Sequence, residues 1–267
     1  MSMPNDSEMT FWDHLDVLRK ILFRIAVCVA ILAFLFFSYM KNLFDLVILA
    51  PARNDFFLYE WMNRMSKTLP IFPDFCVGAF QVKIININLS TQFFIHMSTS
   101  FWFALVLSFP FVIYQIFLFV KPALYIHELR NAGMAFFFGN LLFYIGVAVG
   151  YLMVFPLTLR FLAGYQLSSY IENSVSLDSY MDSFLMLCFI MGLVFELPLL
   201  SWFLSKIGIL HREFFNKFRK HAIVILLIIA AVITPSGDPF TLLVVFLPIY
   251  MLWEISALVV KRKPVET

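Results

Sequence analysis

Long apolar runs separated by short charged stretches set the pattern of this chain, at about 22–40, 98–120, 133–155, 181–205, 222–234 and 242–260. Such runs read as membrane-spanning helices, because a backbone in lipid finds no water and must satisfy its own N–H and C=O groups. Six spans predict an all-α polytopic fold with both termini on one side. The fifth run offers about 13 residues, roughly 20 Å at 1.5 Å per residue against a hydrocarbon core of about 30 Å. The stretch "TPSGDPF" then turns the chain straight back, with Asp238 placed to cap the next helix. The last two spans therefore read as a short hairpin that thins the bilayer, tilts its neighbours or admits water.

Between the first two runs lies the one segment large enough for structure outside the bilayer, about 41–97. Its "NDFFLYEWMNRMSK" mixes aromatic and charged residues as an interfacial amphipathic helix does, and "QVKIININL" alternates like a short strand. A loop that only packs over the helices is the plain alternative. Neither an internal repeat nor a soluble domain is visible, so residues 1–267 read as a single membrane domain. Its remaining parts are an N-terminal segment of about 1–21 and a tail of about 261–267.

Composition agrees: 62% of residues are hydrophobic and 13% charged, where a soluble domain carries roughly a quarter charged. A net charge of +2 excludes nucleic-acid binding as the main role, and the placement of the cations matters more. Arg19, Lys20 and Arg24 precede the first run, Lys121 and Arg130 follow the second, and Lys206, Arg212, Lys217, Arg219 and Lys220 follow the fourth. Lys261, Arg262 and Lys263 close the chain. By the positive-inside rule these segments, and both termini, face the cytoplasm. The acidic N-terminal stretch predicts no cleavable signal, so the first span is retained. Three cysteines are too few for a disulfide framework, and Cys28, Cys76 and Cys188 read as unpaired thiols. The histidines lack metal-ligand spacing, and neither a nucleophile elbow nor a phosphate loop occurs, so the sequence predicts no enzyme, no metal and no cofactor.

Polar residues inside apolar runs are the candidate chemistry. Glu196 sits in "CFIMGLVFELPLLSWFL", ten residues before Lys206 and so about 15 Å along the helix, near mid-membrane. A carboxyl there should face protein or a wet cavity. Gly192 one turn earlier lets another helix approach, and Pro198 loosens the backbone. Either a functional contact or a carboxyl bonded inside the bundle for structure alone accounts for it. Glu128 lies in "VKPALYIHELR" beside His127 and Arg130, where an ordinary surface ion pair is the alternative. Asp16, spaced i,i+3 from Asp13, adjoins the apolar Leu15 and Leu18 in "FWDHLDVLRKIL". One helix face then offers both charge and apolar surface, or Asp16 pairs with Lys20 at i,i+4 on an exposed face. Gln115 and Glu254 fit interhelical hydrogen-bond partners.

Taken together, "HLDVLRKIL", "LAP", "FPFVIYQIFLFVKPALYIHELR", "LLFYIGVAVGYLMVFPLTLRFL", "SYMDSFLMLCFIMGLVFELP" and "TPSGDPFTLLVVFLPIYMLWEIS" resemble, in order and over nearly the whole chain, the TatC family of the twin-arginine protein translocase. The resemblance implies a cup of six helices with short fifth and sixth members, in the bacterial inner membrane, whose cytoplasmic face binds the signal peptides of folded precursors. It also implies recruitment of single-span partners of the TatA/TatB type, with a homo-oligomer within the complex left open. By matched motifs, Glu128 is the signal-binding carboxylate, with Asp16, Leu15, Arg19, His127 and Arg130 around the same site. Glu196, Gln115, Pro198 and Asp238 match the positions that meet partner helices. Two departures stand out: Val17 occupies the place of a family glutamate, with Asp16 one position and about 100° away, and Leu242 replaces a frequent glutamine. The first external loop is longer than the family core by about twenty residues. The rival reading is a secondary transporter of a small solute, which should show repeated halves and broken helices in matching positions; neither is visible in the sequence.

Overall fold

The computed structural model describes residues 11–68, 82–120, 126–168, 170 and 173–260. Cys76, Lys121 and the terminal Lys261, Arg262 and Lys263 lie outside the described residues. So do the side chains of Asp13, His14, His127, Glu128 and Arg130, whose backbones are described. Among the described residues the helices are α1 (Phe11–Leu43), α2 (Phe57–Thr68), α3 (Thr91–Val120), α4 (Ile126–Val149), α5 (Phe155–Gly164), α6 (Leu177–Val194), α7 (Leu197–Lys206), α8 (Arg212–Ile233) and α9 (Pro239–Val259).

Among the described residues, five stretches are long and apolar enough to cross a membrane: α1, α3, the α4–α5 run, the α6–α7 run and α9. The expected fifth run is the second half of α8. Its first ten residues carry Arg212, Glu213, Lys217, Arg219 and Lys220, which leaves an apolar stretch only from Ala222 to Ile233. α9, with 21 residues, is shorter than α1 or α3. At about 32 Å it nonetheless matches a hydrocarbon core, so the shortness belongs to the apolar part of α8.

Neighbouring helices run antiparallel. The Phe37 ring at the end of α1 stacks on His96 at the start of α3, and Phe109 of α3 stacks on Phe143 of α4. Gly150, directly after α4, meets Cys188 of α6, and Arg219 of α8 meets Glu254 of α9. One end of the bundle, the near end, therefore gathers the start of α1, the α3–α4 connection, the α7–α8 connection and the end of α9. The far end gathers α2, the α5–α6 connection and the α8–α9 turn.

Prolines divide the long helices, because each lacks an N–H and its ring crowds the carbonyl four residues back. Pro110 stays inside α3, and the Tyr144 hydroxyl of α4 donates to the Val106 carbonyl that it strands, at 3.3 Å. Pro156 is preceded by a wide π-helical turn, Gly150–Val154, which makes room for its ring. Pro198 opens α7 after a two-residue break at Phe195 and Glu196. The third and fourth runs are thus broken helices, contrary to the sequence reading, and the breaks differ in kind: one is a π turn and the other a helix restart.

At the far end the chain leaves α1 through a π turn, Phe44–Ile48, and a 3-10 turn, Ala50–Ala52. Three tyrosines satisfy the carbonyls freed there. Tyr151 donates to Val47 at 2.8 Å, Tyr180 to Ile48 at 2.5 Å, and Tyr59 to Pro51 at 2.9 Å. The expected amphipathic helix is α2: Tyr59 and the preceding Phe56 are buried, while Phe57, Trp61, Glu60 and Arg64 are exposed. The expected strand shrinks to β1 (Ile84–Ile85), which pairs in parallel with β2 (Val175–Ser176) just before α6.

α4 and α6 approach through glycine. A Cβ on Gly146 would stand 2.5 Å from the Met191 carbonyl oxygen and 2.8 Å from the Gly192 Cα, and one on Gly192 would stand 2.8 Å from Phe143 and Val147. The contact anticipated at Gly192 is therefore with α4. Gly146→Ala is expected to lower stability by about 1–3 kcal/mol through overpacking against backbone, read as thermal unfolding in detergent. Gly133→Ala, where a Cβ meets nothing within 4 Å, is expected to lose nothing. Equal loss in both variants would remove the close approach as the cause.

Candidate functional site

The signal-binding candidates lie at the near end. α4 begins at Ile126, so His127, Glu128 and Arg130 belong to its first turn and a half. On α1, Asp16 and Arg19 are exposed, and Leu15 is 40% exposed. These positions therefore sit at the near ends of two helices, α1 and α4. Asp16 is exposed, whereas the neighbouring Val17 is partly buried.

Gln115 lies on α3 five residues before its end, 4% exposed, with its Oε1 lacking a hydrogen-bond partner. The residue before it, Tyr114, meets Phe136 of α4 edge to face at 6.2 Å between ring centroids. That brings the Gln115 turn within eight residues, about 12 Å of helix, of Glu128.

Glu196 occupies the break between α6 and α7. Its N–H bonds Leu193 O at 3.1 Å in a tightened turn, and its own carbonyl accepts from Leu200 at 2.9 Å. Pro198, buried as the second residue of α7, keeps the chain from closing this turn as an ordinary α-helix. The Glu196 side chain is 8% exposed, and its Oε1 has no partner. It lies against α4 at a glycine: a Cβ on Gly139 would be 3.4 Å from Oε2 and 2.8 Å from Leu199. Gly139 is eleven residues beyond Glu128, so Glu196 sits about 16 Å deeper along the same helix. An unsatisfied carboxyl oxygen inside a membrane bundle is costly.

Asp238 belongs elsewhere. It caps α9, accepting from the Thr241 N–H at 2.8 Å and from the Ser236 hydroxyl at 2.6 Å. Burial pushes its carboxyl up, but the bonds from Ser236 and Thr241 outweigh that and hold it below the usual aspartate value. Phe240 beside it stacks on Phe161 of α5 at 4.1 Å. Gly139 and Phe161 are 22 residues apart along the α4–α5 run, roughly 33 Å, so Glu196 and Asp238 do not form one site.

Glu254 is the interhelical partner anticipated for it. It pairs with Arg219 at 2.6 Å and accepts from the Tyr250 hydroxyl at 2.9 Å, closing the near end of the α8–α9 pair. Sequence reasoning missed Asn140, whose Oδ1 is buried without a partner. Its signal was a single amide in the apolar "AFFFGNLLFYIG".

A family profile described as Sec-independent protein translocase protein (TatC) matches residues 13–248. The chain is 33% identical over 252 residues to the Sec-independent protein translocase protein TatC of Blattabacterium sp. subsp. Periplaneta americana, covering 94% of each chain. It is 30% identical over 261 residues to the chloroplastic Sec-independent protein translocase protein TATC of Arabidopsis thaliana, covering 97% of this chain and 68% of that one. Among solved structures, a crystal structure of the twin-arginine translocase receptor TatC superposes with a TM-score of 0.72 at 29% identity, over 92% of this chain and 97% of the other. With its apolar helices and a fold shared end to end with that receptor, this multi-pass membrane protein is a member of the TatC family of Sec-independent protein translocase proteins.

Proposed function

We propose that this chain is the receptor and core subunit of a twin-arginine translocase, binding twin-arginine signal peptides and recruiting single-span TatA/TatB-type helices for the export of folded proteins. The observation that carries this reading is the family match over residues 13–248, joined to the fold shared with the twin-arginine translocase receptor. The protein acts by binding and assembly rather than as an enzyme. No observation favours a transporter of a small solute.

The near end is the cytoplasmic end in this reading. Arg19, Lys20, Arg24, Lys206, Arg212, Lys217, Arg219 and Lys220 all lie there, as the positive-inside rule requires, and both termini follow to that side of a bacterial inner membrane. The apolar half of α8 makes the sixth crossing. A homo-oligomer within the complex is compatible with the large lipid-facing surface.

A guanidinium pairs with a carboxylate through two parallel N–H bonds, which an ammonium cannot do. Glu128, in the first turn of α4, is the main partner for the paired arginines, and Asp16 on α1 supplies the second, weaker contact. Leu15 offers apolar surface to the signal, while Arg19, His127 and Arg130 set the local charge. Glu128→Gln is expected to weaken a twin-arginine peptide by at least about 1.5 kcal/mol, the scale of a lost charged hydrogen bond, in a calorimetric titration. Asp16→Asn is expected to cost less. Unchanged affinity in Glu128→Gln overturns the assignment, and a larger loss in Asp16→Asn reverses the ranking.

Glu196, Gln115 and Pro198 form the seat for a partner helix, and Asp238 supports it indirectly by holding the α8–α9 turn. A hydrogen bond between helices in lipid is worth about 0.6 kcal/mol and at most roughly 2, enough to choose a register and a partner. Glu196→Ala is expected to shift or abolish crosslinks between the α6–α7 break and a single-span partner while peptide binding survives, and Glu196→Gln is expected to keep most of them. No change in either variant assigns Glu196 to packing alone. Four leucines inserted within Ala222–Ile233 add about 6 Å. They are expected to impair export at unchanged peptide affinity, because the short apolar half of α8 no longer thins the bilayer. Normal export by the lengthened protein would leave that shortness without a role.

A further inference from the structure

Within the first apolar run one cation interrupts the lipid-facing side of α1. Arg24 is exposed, and among the described residues no acidic side chain pairs with it. The surrounding sequence offers none: α3, which packs along α1, contains no aspartate or glutamate, and Asp16 of α1 lies eight residues away, about 12 Å. Arg24 and Lys41 are 17 residues apart on α1, about 26 Å against a hydrocarbon core of about 30 Å, so helix length alone does not carry both cations clear of the core. A guanidinium at this level extends along its apolar stem toward the boundary, and what it meets there is the phosphate layer.

From Arg24 toward the far end the surface is hollow. A groove of about 430 Å³ runs along α1, lined by five apolar side chains between Phe23 and Leu32 and by Phe111 of α3, with Arg24 as the one charge in its lining. Arg24 to Leu32 spans about 12 Å of helix. Lys20, also exposed, stands one turn nearer the near end on the same row as Arg24, and among the described residues it has no ion pair with Asp16. A trough with two cations at its mouth and apolar walls beyond them complements an amphiphile with a negative head and a hydrocarbon tail. An apolar helix laid there would leave Arg24 without a counter-charge, and a peptide rich in arginine would be repelled by it.

We propose that the α1–α3 groove is a binding site for one anionic phospholipid of the leaflet at the near end, of the phosphatidylglycerol class, with its phosphate on Arg24 and Lys20 and one acyl chain lying between Phe23 and Leu32. The cations select the head by charge, and the groove holds the tail by apolar contact. The site requires only that α1 crosses a bilayer and does not rest on the receptor reading.

Native mass spectrometry of the full-length protein, delipidated in detergent and titrated with dioleoyl phosphatidylglycerol or dioleoyl phosphatidylcholine, reads the first bound lipid. Wild type is expected to take the first phosphatidylglycerol about fivefold more tightly than the first phosphatidylcholine, the scale of one basic residue against an anionic lipid. Arg24→Gln is expected to erase that preference, Arg24→Lys to keep most of it, and Lys217→Gln, at a near-end cation on α8 away from the groove, to leave it unchanged. Ile31→Trp, which fills the groove, is expected to weaken the first site for both lipids. A preference that survives Arg24→Gln, or that falls equally in Lys217→Gln, belongs to general surface charge and overturns the proposal. First-site binding unmoved by Ile31→Trp puts the lipid elsewhere and overturns it too. Displacement of the first phosphatidylglycerol by an equimolar synthetic leucine-alanine helix makes the groove a helix seat, with the same consequence.

Discussion

Everything in this fold answers to one constraint: inside a bilayer no water waits for a backbone carbonyl or N–H. Helices meet it by default, and the structure becomes informative where they cannot. Pro110, the π turn before Pro156, the break before Pro198 and the exit from α1 all free carbonyl groups or displace hydrogen bonds. At two of these places tyrosines complete the ladder, Tyr144 at Val106 and the set of Tyr59, Tyr151 and Tyr180 at Pro51, Val47 and Ile48. The phenol suits this task because its ring packs with the apolar bundle while its hydroxyl donates a hydrogen bond to the backbone carbonyl. The far end is therefore tied to the helices by side chains rather than by sheet, β1 and β2 pairing over only two residues each.

Glu196 inverts the same logic. Every other described carboxylate discussed above, Asp238 and Glu254 included, either has a bonded partner or is exposed, whereas Glu196 is buried in a helix break with one oxygen unanswered. Glycine makes this arrangement possible. Gly139 gives the carboxyl room beside α4, while Gly146 and Gly192 bring α4 and α6 close enough to brace the break. A polar group so placed adds nothing to the stability of the free chain.

The spans were legible because apolar length survives any detail of packing, and α2 was legible because its mixed face repeats with helical period. The breaks were harder. Pro156 and Pro198 are plain in the sequence, but whether a proline kinks, widens or stops a helix depends on which neighbour can satisfy the freed carbonyl, and that neighbour is distant along the chain. The tyrosine anchors were invisible for the same reason, since Tyr180 and Ile48 are 132 residues apart. In the candidate site, Glu196 declared itself as a lone charge among apolar residues and Asp238 as a cap after a turn. Asn140 did not, because one amide between Gly139 and Leu141 looks like any small polar interruption until its oxygen is found unpaired.

The run from Ile126 to Gly164 carries Glu128 at one end, Asn140 and the Gly139 notch for Glu196 in its middle, and the Phe161 stack on Phe240 at the other. All of these groups are indexed on one screw. Adding or removing a single residue between Glu128 and Gly139 would move everything beyond it by about 1.5 Å and swing it by about 100°, taking Gly139 off Glu196. Length changes are thus closed to this segment. Divergence along α4 is restricted to exchanging one side chain for another in a fixed count of positions.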